Sequence, residues 1–330
     1  MGGVQTTAMK TRVLITGVSG FVGSHLVDLL VRKRDVYDLY GIVRERSSLD
    51  KIAGHLEFID LFNCDLISLS TVLKVIREVK PQHIYHLAGE SSVKLSWEGA
   101  VSMVNSNIVG SLNLLEALRM AGARRTRVLL SCSSEEYGLA PQDRIPIGED
   151  TPLKPVSPYG VSKAAVDMFG YQYYRSYGIQ TIRIRAFNHT GPRRPPIYAL
   201  SSFAKQVAEI ERGVRQNEIY VGNLDVIRDY TDVRDTVRAY ELAVQRCRPG
   251  EVYNVCSSKG YRMGDLLEDL VALSRINVTI VHDKSRARPV DVPIVIGDNS
   301  KFAKATSWAP QIPIRQTLQD LLDYWRGQLS

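Results

Sequence analysis

Residues 12–23 read Arg12-Val-Leu-Ile-Thr16-Gly17-Val-Ser19-Gly20-Phe21-Val22-Gly23, a short apolar run that closes on three evenly spaced glycines. Apolar residues then recur at helical spacing to Arg32, so the stretch reads as strand, turn and helix. Each glycine has a physical use there. Gly17 permits the tight turn after the strand, Gly20 lets backbone approach a pyrophosphate, and Gly23 allows close packing of the helix, whose N-terminus faces the anion.

The same alternation continues outward. Residues 37–43, 56–64, 83–87, 127–131 and 181–185 read as further strands, and residues 69–79, 107–121 and 164–177 as helices. Strands separated by helices of this length pair in parallel, which gives an α/β, Rossmann-like doubly wound sheet. The organisation changes near residue 186. A loop at 193–197, a helix at 201–213, short strands at 219–221 and 252–255, and a helical tail at 313–325 suit a smaller C-terminal α/β substrate domain. The expected division is a disordered leader over 1–10, a dinucleotide-binding domain over 11–186 with a return segment about 229–255, and the substrate domain over 187–330.

Composition fits a globular protein with a large core: 330 residues, 44% hydrophobic and 23% charged. The four cysteines, Cys64, Cys132, Cys247 and Cys256, form no Cys-x-x-Cys pair, which favours a reducing cytoplasm. No apolar stretch suits a signal peptide or a membrane span. The net charge of +7 is dispersed along the chain, unlike the clustered basic stripe and aromatic platforms of a nucleic-acid binder. The scattered histidines offer no metal constellation.

Chemistry enters with Ser157-Pro-Tyr159-Gly-Val-Ser-Lys163. Tyr159 and Lys163 lie one helical turn apart on one face. The ammonium is expected to lower the phenol pKa, so that a phenolate can take a hydroxyl proton while the carbon beneath gives up hydride. The end of the second strand, Val43-Arg44-Glu45-Arg46-Ser47-Ser48, indicates which dinucleotide is bound. Two arginines and two serines suit the 2′-phosphate of NADP, and Glu45 keeps NAD open.

These residues also carry a resemblance. Residues 16–23, Cys64-Asp65-Leu66, His86-Leu87-Ala88-Gly89, Asn107-Ile-Val-Gly110, Ser131-Cys-Ser133-Ser134-Glu135-Glu136-Tyr-Gly138, the Tyr159 to Lys163 motif and Arg185-Ala-Phe-Asn188-His189-Thr190-Gly-Pro192 resemble the extended short-chain dehydrogenase/reductases that act on nucleotide sugars. The chain is most similar to the GDP-mannose 4,6-dehydratases and the related GDP-4-keto-6-deoxymannose reductases. The resemblance runs from about residue 11 to 327. It implies a GDP-sugar substrate, a homodimer or homotetramer, and adenine contact near Asp65 and Leu66. It also sets Gly17, Ser19, Gly20, Phe21, Val22, Gly23, Arg44, Arg46, Ser47, Leu87, Ala88, Gly89, Tyr159, Lys163 and Asn188 along the cofactor.

In a dehydratase of this kind Tyr159 would deprotonate the sugar 4-hydroxyl as hydride leaves C4. Glu135 would remove the acidified C5 proton, Ser133 or Ser134 would assist loss of the 6-hydroxyl, and hydride would return to C6. A reductase needs only Tyr159, Lys163, a hydroxyl such as Ser133 and a consumed NADPH, and Ser133-Ser-Glu-Glu-Tyr137 also resembles some of the reductases, so Glu135 does not separate the two. Arg44 to Ser48 and Gly191 to Arg194 are more similar to the dehydratases. Arg228 to Arg234, Val252 to Cys256 and Thr190, where dehydratases usually carry Glu, are more similar to the reductases. An epimerase would keep Tyr159 and Lys163 without needing Glu135, and a non-catalytic scaffold would need neither. The resemblance sets Ser91, Val93, Lys94, Ser133, Glu135, Asn188, Lys205, Val221, Asn223, Arg228 and Arg288 along the substrate, the arginines against phosphate oxygens. Arg193 and Arg194 are equally readable as solvated surface groups, Glu136 reads as a solvated loop carboxylate, and His86 as a packed residue rather than a catalyst.

Overall fold

The computed structural model describes residues 9–274, 276–286 and 289–329. The N-terminal half forms β1 (Thr11–Thr16), α1 (Phe21–Val31), β2 (Tyr37–Val43), β3 (Ile59–Asn63), α2 (Leu69–Val79), β4 (His83–His86), α3 (Val93–Glu98), α4 (Ala100–Met103), α5 (Gly110–Met120), β5 (Arg127–Ser133), α6 (Pro158–Tyr177) and β6 (Gln180–Ala186). The remainder forms β7 (Asn188–Thr190), α7 (Ala199–Glu211), β8 (Glu218–Val221), β9 (Ile227–Asp232), α8 (Val233–Arg246), β10 (Val252–Val255), β11 (Gly260–Arg262), α9 (Met263–Ala272), β12 (Thr279–His282), β13 (Ile294–Val295), α10 (Ser300–Thr306) and α11 (Ile314–Gln328).

Seven strands pair in parallel in the order β10-β6-β5-β4-β1-β2-β3. Both faces are covered, which is why β1 reads as an unbroken apolar run rather than an alternation. Val13 and Ile15 pack with Leu26 and Leu30 of α1 and Val237 and Tyr240 of α8. Leu14 packs on the opposite face with Val72 and Ile76 of α2 and Leu114 and Leu118 of α5. Because all seven strands run the same way, their C-terminal ends share one edge. The chain order reverses between β4 and β1 there, and such a switch point opens a crevice.

Three of the element boundaries that differ from the sequence pattern have a local cause. The third strand begins at Ile59 rather than residue 56, because Asp50–Phe58 forms a 3₁₀ turn that seats Ile52 and Phe58 against the core and leaves Leu56 exposed. The helix expected from residue 164 begins at Pro158. The Ser157 hydroxyl accepts from Gly160 N at 3.0 Å, and Pro158 fills a first-turn position that needs no donor. The helix expected from 107 is α5, preceded by a wider π turn at Val104–Val109.

The second layer is smaller. β9 pairs with β7, β11 and β13, while β12 pairs with β8. A separate cluster of Phe203, Val207, Ile219, Val221, Leu266, Leu270, Leu318 and Leu322 holds α7, α9 and α11 together. Lys10, at the end of the expected leader, lies 3.5 Å from Asp38, and residues 1–8 lie outside the described residues. No helix among the described residues is long and apolar enough to cross a membrane, and all four cysteines are buried and unpaired.

Candidate active site

The glycine loop sits at the C-terminal end of β1. Gly17 has φ +69°, and a Cβ there would meet Ala88 N at 2.8 Å, so only glycine lets this turn close against the segment after β4. Gly20 N donates to Gly17 O at 3.0 Å, and α1 starts immediately after it with Phe21. Ala88 N is held by the Thr16 hydroxyl at 3.1 Å. That hydroxyl also meets His86 Nδ1 at 2.8 Å, and His86 Nε2 meets Ser111 at 2.8 Å. Burial pushes His86 down to about 3, so it is a neutral, hydrogen-bonded strut.

The segments after β2, β3 and β4 stand beside the loop. Arg44 and Arg46 are exposed, with the Ser47 hydroxyl accepting from Arg44 N at 3.1 Å. Neither guanidinium has a partner among the described residues, which leaves both open to an anion. Asp65 closes a turn by accepting from Ile67 N at 3.1 Å, and Leu66 is half-buried. Gly89 is placed by Asn107, whose amide oxygen accepts from Glu90 N at 2.8 Å while its nitrogen donates to Glu90 O at 3.0 Å and Ser162 Oγ at 2.9 Å. Asn107 thereby ties the segment after β4 to α6. It opens Asn107-Ile-Val-Gly110, and nothing local in the sequence assigns it this role.

The groups expected to react lie at the C-terminal end of β5 and in the first turns of α6. A Cβ at Gly160 would lie 2.6 Å from Glu135 O, so glycine allows the first turn of α6 to dock against the turn after β5. Tyr159 is thereby brought beside the Ser133 side chain, close enough for that hydroxyl to influence the phenol. Glu135 is half-buried, its amide donating to Ser133 Oγ at 3.2 Å, and its carboxylate is within electrostatic reach of Tyr159. Ser134 is buried. Lys163 donates to Ser131 O at 2.7 Å, and an added Cβ at Gly89 would lie 3.9 Å from its nitrogen.

One electrostatic expectation is corrected. Burial raises the Tyr159 phenol above its ordinary value, the Ser133 hydrogen bond opposes this, and the nearby Tyr198, Glu135 and Glu136 push it further up. The Lys163 nitrogen stands 5.9 Å from the Tyr159 ring centroid and bonds a carbonyl instead. Lys163 is itself held below its ordinary value by burial, against the opposing pull of Cys132 and Glu136. The side chains alone therefore do not acidify the phenol.

Glu136 is also corrected. It is fully buried, with Oε1 accepting from Ser133 N at 2.7 Å and Oε2 lying 3.3 Å from Arg185 Nε. With the Ser133 side chain it forms a capping box around the turn that carries Glu135. The Ser-x-x-Glu spacing was the missed signal. Arg185 also meets Asp167 at 3.0 Å, and Asp167 meets Arg183 at 2.6 Å. Burial first, then the Asp167 carboxylate, raises Glu136 from 4.5 to about 8, against Arg185, the Ser133 amide and Lys163. Across that window the native state holds a proton that the unfolded chain has lost, so stability falls as pH rises. Glu136→Gln is expected to flatten this decline in denaturation midpoints measured from acid to mildly alkaline pH. An unchanged slope would remove Glu136 from the linkage.

The substrate-side residues divide. Ser91, after β4, bonds the Tyr198 hydroxyl at 2.6 Å, and Asn188 opens β7 opposite Tyr230. Val93 is half-buried at the start of α3, and Lys94 reaches Ser285 O at 3.2 Å. Arg228 and Asn223 converge on Asp291, at 3.1 and 3.0 Å. Val221 is wholly buried in the smaller core, so its side chain cannot line a cleft. Lys205 lies by Glu209 and over Trp325 on the seam between α7 and α11. Arg288 lies outside the described residues.

The neighbouring arginines are not solvated surface groups. Arg193 bonds Asp28, His25 Nδ1 at 2.8 Å and Lys51 O at 3.0 Å. Arg194 stacks between the rings of Phe21 and Tyr198, 4.9 and 3.5 Å from their centroids, and no carboxylate pairs with it among the described residues. Burial holds its guanidinium below its ordinary value. Beside them, His189 is pushed down to about 4 by burial and bonds Phe187 O at 3.0 Å.

A glycine loop and a Tyr-x-x-x-Lys pair at one sheet edge define a short-chain dehydrogenase/reductase. Residues 14–321 match the family model described as GDP-mannose 4,6 dehydratase, and the chain belongs to that family. It is 30% identical to GDP-6-deoxy-D-mannose reductase of Pseudomonas aeruginosa, over 97% of this chain and 99% of the relative. It is 28% identical to a GDP-mannose 4,6-dehydratase of Vibrio cholerae, over 95% and 93%. The structure of RMD from Pseudomonas aeruginosa complexed with NADPH superposes with a TM-score of 0.83 at 30% identity, covering 97% of this chain and all 100% of that one. A UDP-glucose 4-epimerase of Thermotoga maritima gives 0.86 at 26% identity, over 97% and 100%.

Proposed function

We propose that the protein is an NADP-dependent GDP-mannose 4,6-dehydratase. The observation that carries this is Glu135, a second carboxylate that is half-exposed and within electrostatic reach of Tyr159, where a dehydratase would use it as the base at C5. Tyr159 exchanges the 4-hydroxyl proton, Ser133 holds that oxygen, and Glu135 takes the C5 proton once C4 is a ketone. Ser134 is the candidate partner for the departing 6-hydroxyl.

The crevice fits a dinucleotide, since the glycine turn has room for no Cβ at Gly17 and three arginines, Arg44, Arg46 and Arg194, lack acidic partners among the described residues. When bound, the oxidised nicotinamide supplies the hydride acceptor and a positive charge near Tyr159. Arg44 and Arg46 would hold the 2′-phosphate. Arg44→Ala is expected to cut discrimination for NADP over NAD about tenfold, read as the ratio of the two dissociation constants. An unchanged ratio would sink that assignment.

A second reading, a GDP-4-keto-6-deoxymannose reductase, is favoured by the 30% identity to such a reductase over 99% of its length and by Thr190. Incubation with GDP-mannose and catalytic NADP⁺ separates the two. The dehydratase yields a 4-keto-6-deoxy sugar with no net NADPH. A protein that leaves GDP-mannose untouched and oxidises NADPH stoichiometrically with the 4-keto-6-deoxy sugar is the reductase.

A further inference from the structure

Three segments distant in sequence meet at Tyr198. Its hydroxyl bonds the Ser91 hydroxyl at 2.6 Å, bridging the segment after β4 to the start of α7. Its ring carries the Arg194 guanidinium at 3.5 Å, and the same guanidinium faces Phe21, the residue that follows Gly20. Arg194 is held from behind as well, since its carbonyl accepts from Ser201 Oγ at 2.5 Å and its amide donates to Gly191 O at 3.2 Å. The charged and titratable groups around it are the hydroxyls of Tyr198, Tyr230 and Tyr159 and the neutral imidazole of His189, which stacks on the same Phe21 ring. A half-buried cation with no carboxylate costs free energy unless an anion arrives. Stacking between two aromatic faces offsets part of that cost and fixes where the charge points.

We propose that Tyr198 is a positioning residue with two separable parts. Its ring holds the Arg194 guanidinium at the mouth of the glycine loop for the anionic dinucleotide, and its hydroxyl holds the Ser91 loop over the nucleotide sugar. The proposal rests on the reading that this crevice takes both ligands. The ring meets Arg194 while the hydroxyl reaches Ser91, so one side chain links the two segments. Tyr198 is only half-buried, so its truncation removes little core.

The test is NADPH titration by its fluorescence, together with GDP-mannose affinity, for Tyr198→Phe and Tyr198→Ala. Tyr198→Phe keeps the ring, and NADPH affinity is expected within about twofold of wild type while GDP-mannose binding weakens about 3–10-fold. Tyr198→Ala is expected to weaken NADPH about 5–20-fold. Ser91→Ala should reproduce the Phe variant. Tyr198→Trp, which restores a ring without the hydroxyl, should recover NADPH affinity if the Ala variant melts early. Equal NADPH losses in the Phe and Ala variants, or none in the Ala variant, overturn the ring's role. GDP-mannose affinity unchanged in both the Phe and Ser91 variants overturns the hydroxyl's role. A wild-type protein that binds NADPH but not GDP-mannose overturns the proposed function, and the NADPH comparison still decides the ring.

Discussion

Glu135→Gln is expected to slow formation of the 4-keto-6-deoxy sugar from GDP-mannose about 10²–10⁴-fold, the range for loss of a positioned general base. The amide keeps the carboxylate's shape, and the Glu135 backbone bond to Ser133 Oγ at 3.2 Å does not involve the side chain. Ser133 and Tyr159 should therefore stay in place. Hydride transfer at C4 should persist, so reduced nicotinamide should appear in the first turnover and remain, because elimination no longer clears the way for its reoxidation. Rapid mixing with absorbance detection reads that accumulation, and solvent isotope incorporation at C5 reads the lost proton step. An unaffected dehydration rate would remove Glu135 from its role.

Tyr159→Phe is the other large effect, and it acts one step earlier. The phenol lies against Ser133 and is pushed above its ordinary value by burial, so it loses its proton only with help from a positive charge. Removing its oxygen is expected to lower turnover about 10²–10⁴-fold, with the first-turnover appearance of reduced nicotinamide abolished too. Cofactor affinity should stay within about a factor of three, because Lys163 is anchored independently on Ser131 O. A variant that still reduces its cofactor in the first turnover would show that another group accepts the 4-hydroxyl proton. Ser133, beside Tyr159, is the group to substitute next.

The two variants also show which parts of the site were legible in the sequence. The glycine turn, the strand ends and the Tyr159 to Lys163 spacing are local, so periodicity and residue type reveal them. Glu136 is a contrasting case. Its type suggests a solvated group, and only three-dimensional closure by Arg185 and Asp167 explains a carboxylate with no exposure. Tyr198 gave no local signal, since its partner Ser91 is 107 positions away. Val221 and Lys205 were carried over by resemblance, yet burial and the α7 to α11 seam occupy their side chains. The onset of β3 slipped by three positions because Leu56 and Phe58 look strand-like while the 3₁₀ turn uses only some of that apolar surface.

The placement of β10 bears on how the chain can be cut. β10 comes from residues 252–255, yet it pairs with β6 along its whole length, and Asn254 within it accepts from the Tyr137 hydroxyl at 2.8 Å. A fragment ending at residue 186 would present β6 as a bare edge of unpaired amides and carbonyls and strip a buried phenol of its acceptor. Open edges recruit other chains. Expressed alone, the N-terminal piece should therefore self-associate or precipitate, and supplying the C-terminal piece in trans should rescue it by strand complementation.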